Sequence, residues 1–538
     1  KENIDFINFN FLNKTQKLKF PINWNNKKWT RLWQFNLHYF DWARNYIDVS
    51  NLNNSFKKEI FLLGDLIDQW IDGNPLGKGD GWHSYTLSLR IRNWIFIFRT
   101  FPNIVNPKRL ESLWIQIYWL YKHPEVCHGG NHWIENLSAL IIGSLQFDNS
   151  YTNQIYLKSI KLLKKALEEQ ILNDGGHEER SAAYHILILD RLVEIGWVIQ
   201  SVRKERPLWL KKYIEKMTNW VTLIALDGGK IPLFNDSSPD ICPNILITRE
   251  FSISYLKNKQ NFLFGIRHLL SKKAVNSYKF EVFEEYKETF PSEITNLPDT
   301  GWIIIRLKYG WEFIFKCGEG SPKHLPAHTH SDLFSFDLFK NGLPIIAEAG
   351  TSFYGDSEIR KFERSSAAHN VLRLSKVNKF KNKETKWIEP IDVWGNFRAG
   401  RKARVLLRKF EKINDRNYLL IGSHDGFKKI GASYQRNISL FINEKGDIKI
   451  CIKEKISCEN NLIGNQLFHL GPNFDTSFFE TSLCSSNLIK NIYSFWKDTH
   501  FAVGFGKRIP RKSFVSSFLM PKGDHQLEIK ILIPNVNY

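Results

Sequence analysis

The sequence lacks the defining features of several large protein classes. No apolar run approaches the roughly 18 residues of a membrane-spanning helix, and the best candidate, Trp94–Phe98, is far shorter. The six cysteines are scattered through 538 residues without a Cys-x-x-Cys pair, which excludes a disulfide framework and zinc-finger spacing. No fixed-period repeat and no signal peptide are recognisable, and the sequence opens on Lys1 instead of methionine, which leaves open a leader already removed.

The charge is strongly positive but not concentrated. Lysine and arginine number 75 against 55 acidic residues, a net charge of +20, yet no dense basic block occurs. Such a field attracts polyanions: nucleic acid, an anionic membrane or an acidic polysaccharide. Nucleic acid is disfavoured because no recognised binding motif is present. Aromatic residues make up 14% of the chain, and their flat rings suit both protein cores and sugar faces.

Two different periodicities divide the chain. From about residue 35 to 270, apolar residues recur every three or four positions between Gly, Pro and Asn breaks, which predicts helical hairpins arranged as a solenoid or a toroid. After roughly residue 295 the pattern changes to alternation, as in Trp302–Leu307 and Trp311–Lys316, and predicts antiparallel strands in a sandwich. Polar residues around 273–295 suggest the linker.

The first polar cluster is the segment 128–136, His-Gly-Gly-Asn-His-Trp-Ile-Glu-Asn. Two glycines before an apolar run predict a helix that begins near Asn131 and His132, with Glu135 one turn further on. Residues three or four apart share a helix face, so Asn131 or His132 and Glu135 can point into one cleft. Asparagine is also a favoured N-cap, which would explain Asn131 but not its two neighbours.

The second cluster is the segment 174–185, which again joins a Gly-Gly turn to a helix. Its spacing predicts that His177, Arg180 and Tyr184 form one helical stripe. An arginine beside Tyr184 favours the phenolate, which suits a general base. The alternative is a solvated first turn in which Glu178 and Glu179 complement the helix dipole.

The third cluster is His324-Leu-Pro-Ala-His-Thr-His-Ser-Asp332. On a strand, His328, His330 and Asp332 would share one side. The His-x-His spacing is common among metal ligands, and Glu348 and His369 are the downstream candidates for a third ligand. Histidines that are merely hydrogen-bonded are the alternative.

Four segments, in this order, resemble motifs of the heparinase II/III-type polysaccharide lyases: 130–132, 174–184, 328–336 and 364–370. Segments 32–41 and 81–90 also fit, so the resemblance covers roughly residues 30–375. It implies an α+β multidomain fold, with an N-terminal α/α toroid (an incomplete barrel of helical hairpins) in residues 1–280 and a C-terminal antiparallel β-sandwich in 281–538. It also implies a bacterial protein that is periplasmic or secreted rather than cytoplasmic.

The resemblance implies the catalytic roles. Asn131 matches the asparagine that faces the uronate carboxylate, Tyr184 the catalytic tyrosine and His328 the catalytic histidine. His132 is a further catalytic candidate. The residues that we expect to contact substrate are Arg90, Glu135, His177, Glu178, Arg180 and Arg364.

The resemblance also implies a structural divalent metal and no organic cofactor. The matching ligand positions are His330, Glu348 and His369, where Glu348 replaces the usual aspartate and is one methylene longer. Zinc is expected, with manganese or calcium as alternatives.

The implied reaction is β-elimination, in which a base removes the C5 proton of a uronate and the 4-linked oxygen leaves. Asn131 would stabilise the developing enediolate. Tyr184 would abstract the proton, with His328 as the alternative base or acid depending on the C5 stereochemistry. Heparan sulfate or heparin is the first substrate expected, and a bacterial exopolysaccharide or capsule uronan, or alginate, is the alternative.

Two other functions stay open at this stage. A glycoside hydrolase needs two carboxylates about 5–10 Å apart, which Glu135 with Glu178 or Glu179 can supply. A non-catalytic homologue would bind polysaccharide or assist its biosynthesis. The partner expected in every case is an acidic polysaccharide, with no nucleic acid and no membrane span, and the oligomeric state is left open.

Overall fold

The computed structural model describes residues 6–45, 57–126, 129–258, 293–322, 324–377, 386–485 and 489–536. These residues form two compact units. The first contains the described residues up to Ile171, then Ile186–Asn219 and those from Leu246 to 258, while the second contains Leu172–His185, Trp220–Ile245 and those from 293 onward. The predicted boundary between residues 280 and 281, like most of the predicted linker, lies outside the described residues.

Helices dominate the N-terminal half, as the apolar spacing predicted. They are α1 Arg31–Tyr39, α2 Asp41–Asn45, α3 Lys57–Gly73, α4 Ser84–Thr100, α5 Pro107–Lys122, α6 Gly130–Ser144, α7 Ser150–Gln170, α8 Ala182–Arg203, α9 Leu208–Ile224 and α10 Ile245–Leu256. A short helix, α11, follows at Glu358–Arg364. Among the described residues, no helix combines the length and apolar character needed to cross a membrane.

Local signals explain where several helices begin. Asn106 accepts a hydrogen bond from the Arg109 amide at 2.9 Å, and Pro107 occupies the first position of α5. Asn149 caps α7 in the same way, through the Thr152 amide at 2.9 Å. These caps satisfy amides that have no partner within the helix, and proline is tolerated at a first helical position because its missing N–H is not needed there.

Four buried charges connect three helices of the first unit. The Arg191 Nε on α8 lies 2.9 Å from both carboxylate oxygens of Glu135 on α6. Arg92 on α4 donates to Glu194 at 3.0 Å through Nε and approaches Glu135 at 3.4 Å. Because each buried charge has a partner of opposite sign, removing one would leave another uncompensated, a change that is strongly destabilising.

The strands that the structure describes pair in antiparallel fashion. They are β1 Phe6–Phe11, β2 Lys14–Lys19, β3 Ile294–Leu297, β4 Trp302–Arg306, β5 Trp311–Lys316, β6 Phe336–Lys340, β7 Leu343–Ile346, β8 Leu372–Lys376, β9 Ile391–Trp394, β10 Arg398–Lys402, β11 Val405–Asn414, β12 Asn417–His424, β13 Ala432–Ile442, β14 Ile448–Cys458, β15 Leu462–His469, β16 Glu480–Ser485, β17 Lys490–Gly504, β18 Lys507–Met520 and β19 Gly523–Ile533. The larger sheets have the orders β11-β12-β13-β14-β19-β16, β17-β18-β15-β8 and β3-β4-β5-β6-β7, and β1-β2 and β9-β10 form hairpins.

Strands in which buried and exposed residues alternate form the core of the second unit. Ile438 of β13 lies opposite Ile452 of β14, which lies opposite Ile529 of β19, and all three side chains are buried. Within this apolar layer, Arg436 pairs with Glu454 at 2.9 Å and donates to the carbonyl oxygens of Phe334 and Asn370 at 2.7 Å each. Arg436 therefore anchors to the sheet two irregular segments that carry site residues.

One buried histidine in the first unit should make stability depend on pH. His38 accepts a hydrogen bond from the Trp70 indole at 3.0 Å, and burial, assisted by Arg90, lowers its pKa to about 3. The unfolded chain protonates this histidine near pH 6.5, so unfolding takes up a proton between pH 6.5 and about 3. The free energy of unfolding should therefore fall as the pH falls through this window.

The substitution His38→Asn should flatten that dependence by up to about 1.4 kcal/mol per pH unit, because an amide oxygen can still accept from Trp70 but does not titrate. Urea unfolding at several pH values measures the slope. The same substitution at the exposed residue His123 is the control and should leave the slope unchanged. An identical slope in His38→Asn and the unmodified protein would contradict the prediction.

Candidate active site

A single buried aspartate organises the polar centre of the second unit. Asp236 accepts hydrogen bonds from four side chains: His328 Nδ1 at 3.0 Å, His330 Nε2 at 2.7 Å, Thr351 Oγ1 at 3.2 Å and the Arg360 guanidinium, whose Nη2 lies at 2.6 Å. Burial would raise the pKa of Asp236, but Arg360 and the two histidines hold it well below its usual range. Asp236 is thus a carboxylate that orients both histidines.

The backbone around Asp236 is unusual. Asn235 and Asp236 both have positive φ angles, +54° and +59°, a left-handed conformation in which asparagine and aspartate are enriched. The Asn235 amide donates to the carbonyl oxygens of Gly320 at 2.9 Å and Arg180 at 3.2 Å, and its oxygen accepts from Lys316 at 2.6 Å. These contacts fix the turn that presents the Asp236 carboxylate.

Tyr184 lies directly against His328. The two rings stack with centroids 4.0 Å apart, and the Tyr184 hydroxyl is 2.7 Å from the Tyr354 hydroxyl. Because Nδ1 of His328 donates to Asp236, Nε2 is the nitrogen left to exchange a proton with a substrate; it lies 3.9 Å from Glu179 Oε2. The centre therefore combines a tyrosine with a hydroxyl partner and an imidazole in a defined tautomer.

A second cluster adjoins this centre through His330. His330, Asp332, Glu348 and His369 are all buried, and one ligand atom from each lies within 4.8 Å of the others. Burial lowers the pKa of His369 to about 4 and raises that of Glu348 to about 8. Asp332 also pairs with Lys316. The structure thus brings together the three ligands that the resemblance implies with Asp332, whereas His328 of the His-x-His pair is not part of this cluster.

The donor atoms of this cluster fit a divalent metal. Within the described structure, hydrogen-bond partners are lacking for His330 Nδ1, Asp332 Oδ1, Glu348 Oε1 and His369 Nε2, while His369 Nδ1 lies 3.0 Å from Glu348 Oε2. Buried polar atoms without partners are costly, and imidazole with carboxylate is a donor set that zinc accepts. The bond from His330 Nε2 to Asp236 leaves Nδ1 for the metal, as metal-bound histidines commonly arrange.

We expect the purified protein to hold about one equivalent of divalent metal, and chelation to lower its melting temperature by about 5 °C. The metal would link irregular segments, so its loss should loosen them. Elemental analysis and thermal unfolding measure both effects. His369→Gln should lose the metal, whereas His525→Gln, at a buried histidine outside the cluster, should retain it. Equal metal content in the two variants would contradict a site at this cluster.

Three further predicted residues of the second unit, His177, Glu178 and Arg180, lie before α8. The prediction that His177, Arg180 and Tyr184 form one helical stripe is wrong, because α8 begins at Ala182 and Arg180 has a φ of +52°. The Arg180 guanidinium donates to the carbonyl oxygens of Glu319 at 3.0 Å and Asp299 at 3.2 Å. His177 is buried, and its Nδ1 accepts from the Glu179 amide at 3.4 Å.

Two further predicted residues make different contacts. Glu178 Oε2 lies 3.2 Å from His324 Nε2. Arg364 is buried and donates to the Thr329 carbonyl at 3.1 Å, among other backbone oxygens.

The strand predicted for His328, His330 and Asp332 is also wrong, since these residues lie in irregular structure before β6.

In the first unit, Asn131, His132 and Glu135 lie on α6, where the glycine turn predicted a helix. His132 stacks on Tyr85 with centroids 4.2 Å apart, and its Nδ1 is 3.0 Å from Glu125 Oε2. Asn131 is buried, and Glu135 is held by its two arginines.

Arg90 is also buried; its Nε donates to Gln116 at 2.8 Å, and its guanidinium lies 3.7 Å from the Trp70 ring centroid. The substrate roles of these residues stay predictions.

Sequence reasoning missed Asp236, Arg360 and Tyr354. The one local signal was the Asn235-Asp236 pair, which favours a left-handed turn but says nothing about its partners. Asp236 is 92 positions from His328 and 124 from Arg360, so no spacing rule connects them.

Comparison with known protein families identifies the family of this chain. Residues 3–261 match the family described as Heparinase II/III N-terminus, and residues 290–527 match Heparinase II/III-like, C-terminal. The chain belongs to the heparinase II/III family. Among its relatives is the heparin-sulfate lyase of Bacteroides stercoris, which is 22% identical in an alignment of 358 positions that covers 63% of this chain and 50% of that protein. That of Bacteroides thetaiotaomicron is 24% identical over 58% of this chain and 48% of its own length.

Solved structures of the heparinase II/III family share the fold. A crystal structure of heparinase III has a TM-score of 0.69 at 17% identity, covering 95% of this chain and 79% of that one. Heparan sulfate lyase HepC from Pedobacter heparinus has a TM-score of 0.56 at 18% identity, covering 97% and 79%. These likenesses confirm the predicted fold class of helical toroid and antiparallel sandwich. The chain spans about half the length of the curated relatives it matches.

Proposed function

We propose that this protein is a polysaccharide lyase that cleaves a uronate-containing acidic polysaccharide by β-elimination, with heparan sulfate as the leading substrate. One observation carries the proposal: Tyr184 stacks on His328 and places its hydroxyl 2.7 Å from that of Tyr354. A base for the C5 proton and an acid for the leaving oxygen are the two groups that the reaction needs. Tyr184 and His328 are the residues proposed to supply these two groups.

Tyr184 is the proposed base. Burial raises the pKa of Tyr354 well above 10, so its hydroxyl stays protonated and can donate to the Tyr184 oxygen. The proposal makes Tyr354 the donor of this hydrogen bond, because a bond donated to the Tyr184 oxygen favours the deprotonated form that a base needs. The sequence predicted Arg180 for this role, but the Arg180 guanidinium donates to two backbone carbonyls instead.

His328 is the proposed second proton-transfer group. Its Nδ1–H donates to Asp236, which Arg360 holds in place, so Nε2 of the neutral ring can accept a proton when C5 has the other configuration, and the doubly protonated ring can give its Nε2 proton to the leaving oxygen. Ring stacking on Tyr184 keeps the two groups adjacent. Asp236 and Arg360 act as positioning residues that need not touch the substrate.

Asn131 is the proposed donor to the uronate carboxylate. This role rests on the family motif at 130–132 and on its place in the first turn of α6. Removing the C5 proton builds negative charge on the carboxylate, and an amide donor aimed at that charge lowers the barrier. His132 is the proposed alternative donor, since it adjoins Asn131 on the same helix.

The metal has a structural role in this proposal. His330, Asp332, Glu348 and His369 would hold it, and the ion would link the segments that carry them. Asp236 contacts both His330 and His328, so an ordered metal cluster supports the orientation of the catalytic imidazole. Proton transfer itself is assigned to Tyr184 and His328.

The net charge and the sequence similarity to known lyases support the choice of substrate. A net charge of +20 suits a polyanion, and the relatives at 22% and 24% identity are heparin-sulfate lyases. A bacterial exopolysaccharide uronan or alginate is the competing substrate. A periplasmic or secreted location stays a prediction.

A panel of heparan sulfate, heparin, hyaluronan, chondroitin and alginate tests the function. Elimination creates an unsaturated uronate and hence new ultraviolet absorbance, with heparan sulfate expected to respond most strongly. A response confined to alginate would replace the substrate and keep the reaction. Chain cleavage without absorbance would indicate hydrolysis, which the structure supports less, because the proposed hydrolytic residue Glu135 is engaged by two guanidinium groups. Binding without cleavage would indicate a non-catalytic homologue.

A further inference from the structure

The β9–β10 hairpin brings one partly exposed aromatic ring, that of Phe397, against His328. Its turn consists of Gly395, Asn396 and Phe397. The Phe397 ring meets His328 edge-on with centroids 5.8 Å apart and Tyr354 with centroids 4.9 Å apart, yet 36% of Phe397 remains exposed. The hairpin tip therefore borders the proposed site and also faces solvent.

Buried arginines hold this hairpin in place. Arg364 donates to three carbonyl oxygens in succession, those of Trp394 at 3.4 Å, Gly395 at 3.1 Å and Asn396 at 3.0 Å. Arg360, which also binds Asp236, donates to the Asn396 carbonyl at 3.2 Å. The Gly355 amide also donates to the Asn396 side chain at 2.8 Å, and a turn fixed by these contacts is preorganised for binding.

Trp394 forms a flat surface on this hairpin. It is 56% exposed, which is unusual for a tryptophan. A Cβ atom at position 400 would lie only 2.3 Å from Cζ2 of the indole, so the ring rests on the Gly400 backbone of the opposite strand. The glycine thus supports one side of the indole, and much of the ring surface is left to solvent.

The hairpin also carries positive charge beside the ring. Arg398 is exposed and lies directly opposite Trp394 across the two strands. Aromatic rings offer an apolar face to the C–H groups of a pyranose, and guanidinium groups bind carboxylate or sulfate in a bidentate manner. An exposed ring and an exposed guanidinium on opposite strands of one hairpin match one sugar of an acidic polysaccharide.

We propose that the β9–β10 hairpin is a substrate subsite in which Trp394 stacks on a pyranose ring, Phe397 contacts the sugar nearest His328, and Arg398 pairs with an acidic group. The inference rests on the proposed function and adds to it residues that determine polymer binding. Because Trp394 stands apart from the reacting groups, it contributes to affinity rather than to proton transfer.

The variant Trp394→Ala should raise KM for heparan sulfate about tenfold and leave kcat unchanged. Trp394→Phe should recover most of the affinity, because a flat ring is restored. Tyr493→Ala is the matched control: this residue is 60% exposed on β17, in another sheet, and its loss should change neither parameter. Melting temperatures of all variants report on folding.

Binding gives a readout that does not depend on turnover. In a Tyr184→Phe background, a heparan sulfate oligosaccharide should bind about tenfold more weakly when Trp394 is also alanine, as measured by calorimetry. Unchanged KM and Kd in an active protein would overturn the subsite and leave the lyase proposal standing. A protein that cleaves no polymer of the panel would instead overturn the proposed function.

Discussion

Replacing Tyr184 by phenylalanine is expected to slow elimination by about 10²- to 10⁴-fold, the range over which a positioned acid or base contributes to catalysis. Phenylalanine preserves the ring that stacks on His328 and removes only the hydroxyl that contacts Tyr354. KM should therefore change little while kcat falls. Initial rates from the ultraviolet signal on heparan sulfate measure both parameters.

Tyr354→Phe is the matched control for this prediction. It removes the other hydroxyl of the same hydrogen bond and leaves Tyr184 intact. We expect a smaller loss of kcat and a pH–rate profile displaced to higher pH, because the Tyr184 phenolate loses its donor. If Tyr184→Phe retained turnover within about twofold of the unmodified enzyme, Tyr184 would not be the base, since that loss is far below a general base's contribution.

The substitution Asp236→Asn is expected to lower kcat by about 10³-fold or more, a typical scale for disturbing a catalytic histidine's orientation. An amide that donates to Nδ1 of His328 forces the proton to Nε2 and inverts the tautomer. It also leaves Arg360 without its carboxylate partner and gives His330 a neutral amide oxygen in place of a charged acceptor, which weakens the support of a metal-binding histidine. Metal content should consequently fall together with kcat.

Asp240→Asn is a suitable comparison for Asp236→Asn. Asp240 lies four positions further on and accepts from Ser238 at 2.7 Å and from the Phe505 amide at 2.8 Å, away from both histidines. It should retain activity and metal. Because loss of a buried ion-pair partner can destabilise the fold, kcat is compared at a temperature where each variant remains folded. Full activity of folded Asp236→Asn would refute its positioning role.

The sequence predicted regular elements better than the site. Apolar spacing predicted the helices, and alternation predicted strands at Trp302–Leu307 and Trp311–Lys316, where β4 (Trp302–Arg306) and β5 (Trp311–Lys316) lie. Both patterns arise because side chains along a helix or a strand turn to the core and to solvent at regular intervals, so neighbouring residues in the sequence reveal them. The heparinase II/III motifs then brought His330, Glu348 and His369 to one prediction, and the structure places them together.

The irregular segments could not be predicted in this way. His328 and His330 alternate as on a strand, but both are drawn to Asp236 from irregular structure instead. The residues around Arg180 predict a helix, but Arg180 has a positive φ angle, which is incompatible with an α-helix. Such conformations depend on contacts with distant residues, here the hydrogen bond from Asn235 to the Arg180 carbonyl. The neighbouring residues in the sequence do not indicate these contacts.

The most direct test of the central claim is the mass of the products from one cut in a defined heparan sulfate oligosaccharide. Elimination breaks the bond without adding water, so the masses of the two products should sum to that of the starting oligosaccharide, and one product should carry the unsaturated uronate. Products whose combined mass exceeds the substrate by one water would contradict the lyase assignment and the roles given to Tyr184 and His328.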